Sequence, residues 1–120
     1  MGLIRCLFPD KTGRAFLRNP TKIYPENTNM IYAHFIPQLQ DMTLGKIRET
    51  FAVSQLQNAG ETVYYSDIGD FKVNKYFLEI GGKNKTVKQL QNTENAYVFA
   101  DGIIIGFKQT IPLYLLGFLY

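Results

Sequence analysis

The alternation of apolar and polar positions is clearest in the middle of the chain. Residues 71–73 (FKV) and 76–80 (YFLEI) form two short β-type runs, separated only by Asn74 and Lys75, a pair suited to a tight turn. Upstream, 44–58 carries the clearest helical pattern: at about 100° per residue, Leu44, Ile47 and Phe51 share a narrow apolar face. Thr43 is placed to cap this helix and Gly60 to end it. Glu49 falls on a different face, with Val53 and Leu56 four and seven residues on. Ile47 and Phe51 are therefore the expected contacts of the helix with the sheet.

The flanking segments add shorter elements. Residues 3–8 read as a strand or a helix end, 9–13 as a turn, and 22–24 as a strand closed by Pro25. Asn27, Thr28 and Asn29 offer caps for a short helix over 30–35, and 36–41 is a proline-containing connection. After Gly60, 62–65 is β-branched and aromatic and predicts a strand; 86–91 looks helical. Residues 95–100 and 103–107 read as strands, and 112–118 as a short terminal helix. The order from residue 44 onward predicts an α/β fold in the α+β sense, a mixed central sheet flanked by helices.

A chain of 120 residues suits one compact domain, burying roughly 65% of its unfolded surface. It divides into an N-terminal segment, 1–42, and a core, 43–120. The hydrophobic share of 46%, with 14% aromatic, is that of a globular protein. The single cysteine, Cys6, forms no internal disulfide and fits a reducing compartment. With one histidine besides, a cysteine- and histidine-rich zinc module is excluded. His34 sits among Tyr32 and Phe35 without a partner acid, which favours a packed or surface histidine over a catalytic one. The apolar ending IPLYLLGFLY is too short for a membrane span and reads as a buried terminal element. The expectation is a cytoplasmic protein with no membrane partner.

The net charge of +3 is unevenly placed. Five lysines against Glu79 give +4 between Lys72 and Lys88. Such a patch suits an anionic partner such as nucleic acid, through Lys72, Lys83, Lys85 and Lys88, or it is a solvated hairpin face. The acids lie close to it. Pairing 71–73 with 76–80 brings Asp70 and Glu79 together at one hairpin end. Two carboxylates beside a lysine suit a divalent cation and a charged transition state. Glu49, flanked by apolar neighbours, is partly desolvated and needs a cation or a hydrogen-bonding partner. The plainer reading pairs it with Lys46 or Lys72. Gly82-Lys83 fails as a phosphate-binding loop, because Phe77 and Asn84 stand where glycine and Ser or Thr are required.

The order of elements, with Glu49, Asp70 and Glu79 in its first helix and following strands, resembles the restriction-endonuclease-like fold of the PD-(D/E)xK nucleases. The segments GLIRCLF, KIYPENTN, IRETFAVSQL, GDFKV, FLEIGGKNK and NAYVFADG look like the C-terminal domain of a family of prokaryotic AAA-type ATPases. In that family an ATPase module and a winged-helix segment precede this domain. The first twenty or so residues look like the tail of that winged helix. The resemblance implies a C-terminal fragment without ATPase motifs, and so not an ATPase as it stands.

By the resemblance, Asp70 and Glu79 match the metal-binding acids, and Glu49 matches the helix acid of the subset related to junction resolvases. The implied metal is Mg²⁺. The family's catalytic lysine stands two residues after the strand acid, where this chain has Gly81. Lys83 stands two further on, on the same face of an extended strand but roughly 6–7 Å along it. A glycine bulge could bring it back, the glycines could equally mark a site without its catalytic lysine, or Lys85 or Lys88 could substitute. The implied catalytic set is Asp70, Glu79 and Lys83. The expected function is a nuclease-like module that binds nucleic acid and Mg²⁺ beside the parent ATPase module, weakly active or inactive. The alternatives are an active Mg²⁺-dependent DNA endonuclease and a non-catalytic structural or partner-binding module.

Overall fold

The computed structural model describes residues 4–9, 22–26, 41–85 and 93–119. Its fold is α+β. Strands β1 (Ile4–Leu7) and β2 (Lys22–Pro25) pair antiparallel as a small ribbon, Cys6 opposite Ile23. Helix α1 (Asp41–Asn58) leads into a five-stranded sheet: β3 (Val63–Tyr65), β4 (Phe71–Val73), β5 (Tyr76–Gly81), β6 (Ala96–Ala100) and β7 (Thr110–Pro112). These lie side by side in chain order, the first three antiparallel and the last two added parallel. A 3₁₀ helix, Leu113–Phe118, follows directly.

The central hairpin forms as its pattern predicts, Val73 opposite Tyr76, with Asn74 at a φ of 54° in the turn. Helix α1 starts three residues before the expected point, so Thr43 lies inside it rather than at its cap. It ends as expected: Gly60 donates to the Gln57 carbonyl and Glu61 to that of Leu56, closing the last turn.

The face of α1 that packs on the sheet differs from the expected one. Val53 and Ala52 are fully buried and Leu56 nearly so, against Val63, Phe71, Val73, Leu78 and Ile80. Phe51 is half-buried and packs against this cluster from its margin, Ile47 is half-buried and Leu44 is exposed. They border a cavity of about 340 Å³ beside Leu113 and Tyr114. The reason is the 3₁₀ helix, whose Leu113 and Leu116 take up core space on that side. Glu49, four residues before Val53, consequently rides on the packed side of the helix.

Residues 103–107 are not a strand. The parallel addition of β7 to β6 requires a return path, and 101–109 supply it, leaving Ile104, Ile105 and Phe107 73–84% exposed. The terminal run is only partly the buried element expected: Leu113 and Leu116 are buried, Tyr114, Leu115, Phe118 and Leu119 exposed. The expected turn over 10–13 and helices over 30–35 and 86–91, with His34 and Lys88, lie outside the described residues. No helix is long and apolar enough to cross a membrane among the described residues.

Candidate functional site

The site is built at the end of the sheet where β4 begins and β5 ends. Gly69 precedes the first acid with a φ of 69°, and a Cβ there would lie 2.7 Å from the Leu78 carbonyl oxygen. Only glycine lets the chain pass this close. The next residue, Asp70, donates its backbone N–H to that carbonyl at 2.7 Å and accepts from the Ile80 N–H through Oδ2 at 2.8 Å. Asp70 is thus anchored by the neighbouring strand, with Oδ1 left for other partners.

Those partners come from two further elements. Glu49 reaches Asp70 from α1, and Lys22 reaches both from β2: its Nζ lies 3.8 Å from Glu49 Oε1 and 3.9 Å from Asp70 Oδ1. Alternation on β2 puts Lys22 and Tyr24 on the same side. The fully buried Tyr24 donates its hydroxyl to Glu49 Oε2 at 3.2 Å and packs edge-on against Phe71. Burial pushes the Glu49 carboxyl above its ordinary range; the adjacent Asp70 charge adds to this, and Lys22 and Tyr24 oppose it. Burial likewise pushes up the Tyr24 phenol, with Glu49 reinforcing the shift.

Glu79 is held separately. On β5, Leu78 and Ile80 face α1, so Glu79 turns to the opposite face with Phe77 and Gly81. It is only 5% exposed, and Lys85 Nζ meets its Oε1 at 2.7 Å. The hydrogen bond to Glu79 raises the Lys85 ammonium above the usual lysine range against the lowering effect of burial; Asp70 and Glu49 add to the rise. The Lys85 stem crosses Gly81, its Cγ 2.6 Å from where a Gly81 Cβ would stand. A turn closed by the Lys85 N–H on the Gly82 carbonyl brings it back.

The structure therefore brings Glu49, Asp70, Glu79 and Lys85 to one sheet end, and leaves Lys83 aside. Lys83 is exposed, its Cβ beside Gly102, and among the described residues it makes no ion pair. The extended-strand argument fails for Lys83 because β5 ends at Gly81, and the turn that follows redirects the chain. Lys72 lies along β4 with its ammonium 5.8 Å from the Phe77 ring centroid, while Lys75 is at the far hairpin end. Of the four nucleic-acid lysines, Lys88 lies outside the described residues.

Sequence reasoning missed Lys22 and Tyr24, which supply Glu49 with the partners expected from Lys46 or Lys72. Lys46 instead sits 3.9 Å from the Tyr24 ring centroid and donates to the Ile23 carbonyl. Arg48 and Asp101 were missed as well. They pair at 3.0 Å, and the Asp101 N–H donates to the Gly81 carbonyl at 2.8 Å. With the guanidinium against Gly82, they clamp the end of β5.

The donors suit a hard cation in part. Carboxylate oxygens of Glu49 and Asp70 face one positive charge, which the Lys22 ammonium supplies. Glu79, on the other face, is tied to Lys85. Among the described residues, no three His, Cys, Asp or Glu side chains converge as a group that could hold a metal ion. A separate cleft of about 600 Å³, lined in part by Tyr76, Leu78, Tyr97 and Leu116, shares no residue with this cluster. Comparison with protein-family models, curated proteins and solved structures finds no match to this chain.

Proposed function

We propose that this chain is a restriction-endonuclease-like module that binds nucleic acid beside an AAA-type ATPase module, with a weak or absent phosphodiesterase activity that depends on Mg²⁺. The observation that carries this reading is the Lys85 side chain, which spans Gly81 to reach Glu79 in the field of Asp70 and Glu49. A lysine thus stands beside the strand acid although the position two residues after it is glycine.

In this reading, Glu49 and Asp70 offer the oxygen donors for Mg²⁺, with Tyr24 orienting the first and the Ile80 N–H the second. When bound there, Mg²⁺ supplies neutralising charge for a phosphodiester and for the water that attacks it. Lys85 leaves Glu79 to donate to a phosphate oxygen as negative charge develops. Lys83, exposed beyond β5, meets the nucleic-acid backbone.

Weak or absent cleavage is the fitting activity, because Lys22 and Lys85 already neutralise much of the carboxylate charge. The test is melting in millimolar Mn²⁺ for the wild type and Asp70→Asn. Stabilisation by about 2.7 kcal/mol at a hundred times the dissociation constant, lost in the variant, is the expected result. A curve indifferent to Mn²⁺ overturns the metal role and leaves a non-catalytic binding module, which salt-dependent binding of duplex DNA then tests.

A further inference from the structure

We propose that the face made by residues 101–109 and the 3₁₀ helix is an interface on which two copies of this chain associate about a two-fold axis, an exposed aromatic ring of each entering an apolar cleft of the other. The proposal stands apart from the carboxylate cluster and does not rest on it.

The face is large and apolar. Ile104, Ile105 and Phe107 are 73–84% exposed, and Tyr114, Leu115, Phe118 and Leu119 are 42–78% exposed. Together these residues present roughly 800 Å² to solvent, about what each partner gives to a stable interface, where the largest apolar patch of a monomer is typically about 300–600 Å². The loop is held in place. Tyr114 donates its hydroxyl to the Ile104 carbonyl at 2.8 Å, and Phe107 and Thr110 exchange backbone hydrogen bonds at 2.9 Å. Its apolar side chains are thus presented before any partner arrives, which lowers the ordering cost of association.

A projecting ring and a receptive cleft lie side by side on this face. The three-residue period of the 3₁₀ helix turns Leu113 and Leu116 inward and Leu115 and Phe118 outward. Phe118 stands one residue from Leu119, which with Leu116 walls the cleft of about 600 Å³ beside Tyr76 and Tyr97, whose ring centroids are 5.8 Å apart. That volume accommodates a phenyl group. Ring and cleft on one surface are self-complementary under a two-fold rotation, because each copy supplies both. Charge agrees with a second copy as the occupant: Lys108 is the only charged residue from 102 to 119, so two such faces meet with little repulsion. The same lone lysine gives little hold on an anionic lipid surface, where several basic residues accompany apolar anchors.

The test is sedimentation velocity over about a hundredfold range of concentration on the wild type, Phe118→Asp, Ala59→Phe and Ile23→Asp. Ala59 lines the cleft, so a ring there fills it without adding charge. Ile23 is 50% exposed on the ribbon bridged to β3, at the sheet edge opposite β7, and serves as the control. Circular dichroism melting checks each fold, and Phe118→Ser is measured too, in case Phe118→Asp folds poorly. The expected result is a wild-type species of twice the 13.8 kDa chain mass, with a dissociation constant raised about tenfold or more in the Phe118 and Ala59 variants and unchanged in Ile23→Asp. A wild type that stays monomeric overturns the proposal; if that monomer floats with phosphatidylglycerol vesicles, the face belongs to lipid instead. A dimer that Phe118→Asp or Ala59→Phe leaves intact overturns it too, as does open-ended growth beyond the dimer.

Discussion

Lys85 occupies the space a side chain on Gly81 would need: its Cβ, Cγ and Cδ all lie 2.6–2.7 Å from the position of a Gly81 Cβ. The glycine and the lysine act as one feature, since the missing side chain of the first is the channel for the second. Gly81→Ala should therefore expel Lys85 from Glu79 and leave a nearly buried carboxylate without its cation. We expect a loss of about 1–3 kcal/mol in chemical denaturation from overpacking and the broken pair. Unchanged stability, with the Lys85 ammonium still paired by NMR, would show that the stem can bypass a methyl group.

Lys85 and Lys83 should separate in function. If cleavage of DNA is detected, Lys85→Ala should reduce it by about a hundredfold or more, the scale of losing one donor to a developing oxyanion. Lys83→Ala should leave the cleavage step intact and lower the slope of log affinity against log salt by roughly one unit, as for one lost phosphate contact. The opposite assignment, cleavage lost with Lys83 alone, would return the catalytic role to the residue that strand periodicity suggests.

The central hairpin and the helix end were legible because neighbouring residues decide them. Asn74 adopts the positive φ its turn needs, and Gly60 ends α1 within one turn. The partners of the acids were not legible. Tyr24 and Glu49 are 25 residues apart, Arg48 and Asp101 are 53 apart, and no local pattern announces either pair. Residues 103–107 misled for a related reason. Their β-branched composition describes a fit to a sheet surface, but the parallel pairing of β6 with β7 uses them as the return path. Likewise the apolar face of α1 was misplaced toward Ile47 and Phe51, because the 3₁₀ helix that fills that side comes from the far end of the chain.

Glu49 makes stability depend on pH in a definite direction. Burial first, and then Asp70, raise its carboxyl above the ordinary value of 4.5. The folded state then holds a proton that the unfolded state has released, so stability falls as pH rises from 4.5 through the raised value. Glu49→Gln cannot ionise and still offers Tyr24 an acceptor. Urea midpoints from about pH 4 to about pH 8 should decline less in this variant than in the wild type. A steeper decline in Glu49→Gln would mean that the charged carboxylate stabilises the fold through Lys22 more than burial and Asp70 oppose it.

Arg5 is the residue that should connect the ribbon to the site. Its Nε donates to the Glu26 carbonyl at 2.7 Å, one terminal nitrogen to Gln57 at 2.9 Å, and the other to Glu26 and Asn58 at 2.8 and 3.1 Å. It therefore joins β1 to the end of β2 and both to the last turn of α1, with its side chain only 11% exposed. Arg5→Ala should cost about 1–3 kcal/mol, the range for losing charge-assisted bonds at a partly buried group. The consequence for the site is more specific. A loosened ribbon carries Tyr24 and Lys22 away from Glu49, removing two influences that lower its pKa together with some of the burial that raises it. Burial is the largest of these, so Glu49 should titrate closer to its ordinary value in Arg5→Ala. Amide exchange should quicken through Ile4–Leu7 and Lys22–Pro25, while Phe71 and Leu78 in the central hairpin stay protected. Equal loss of protection in both places would mean that the ribbon and the sheet open together, and that Arg5 stabilises the whole domain instead of the docking of Lys22.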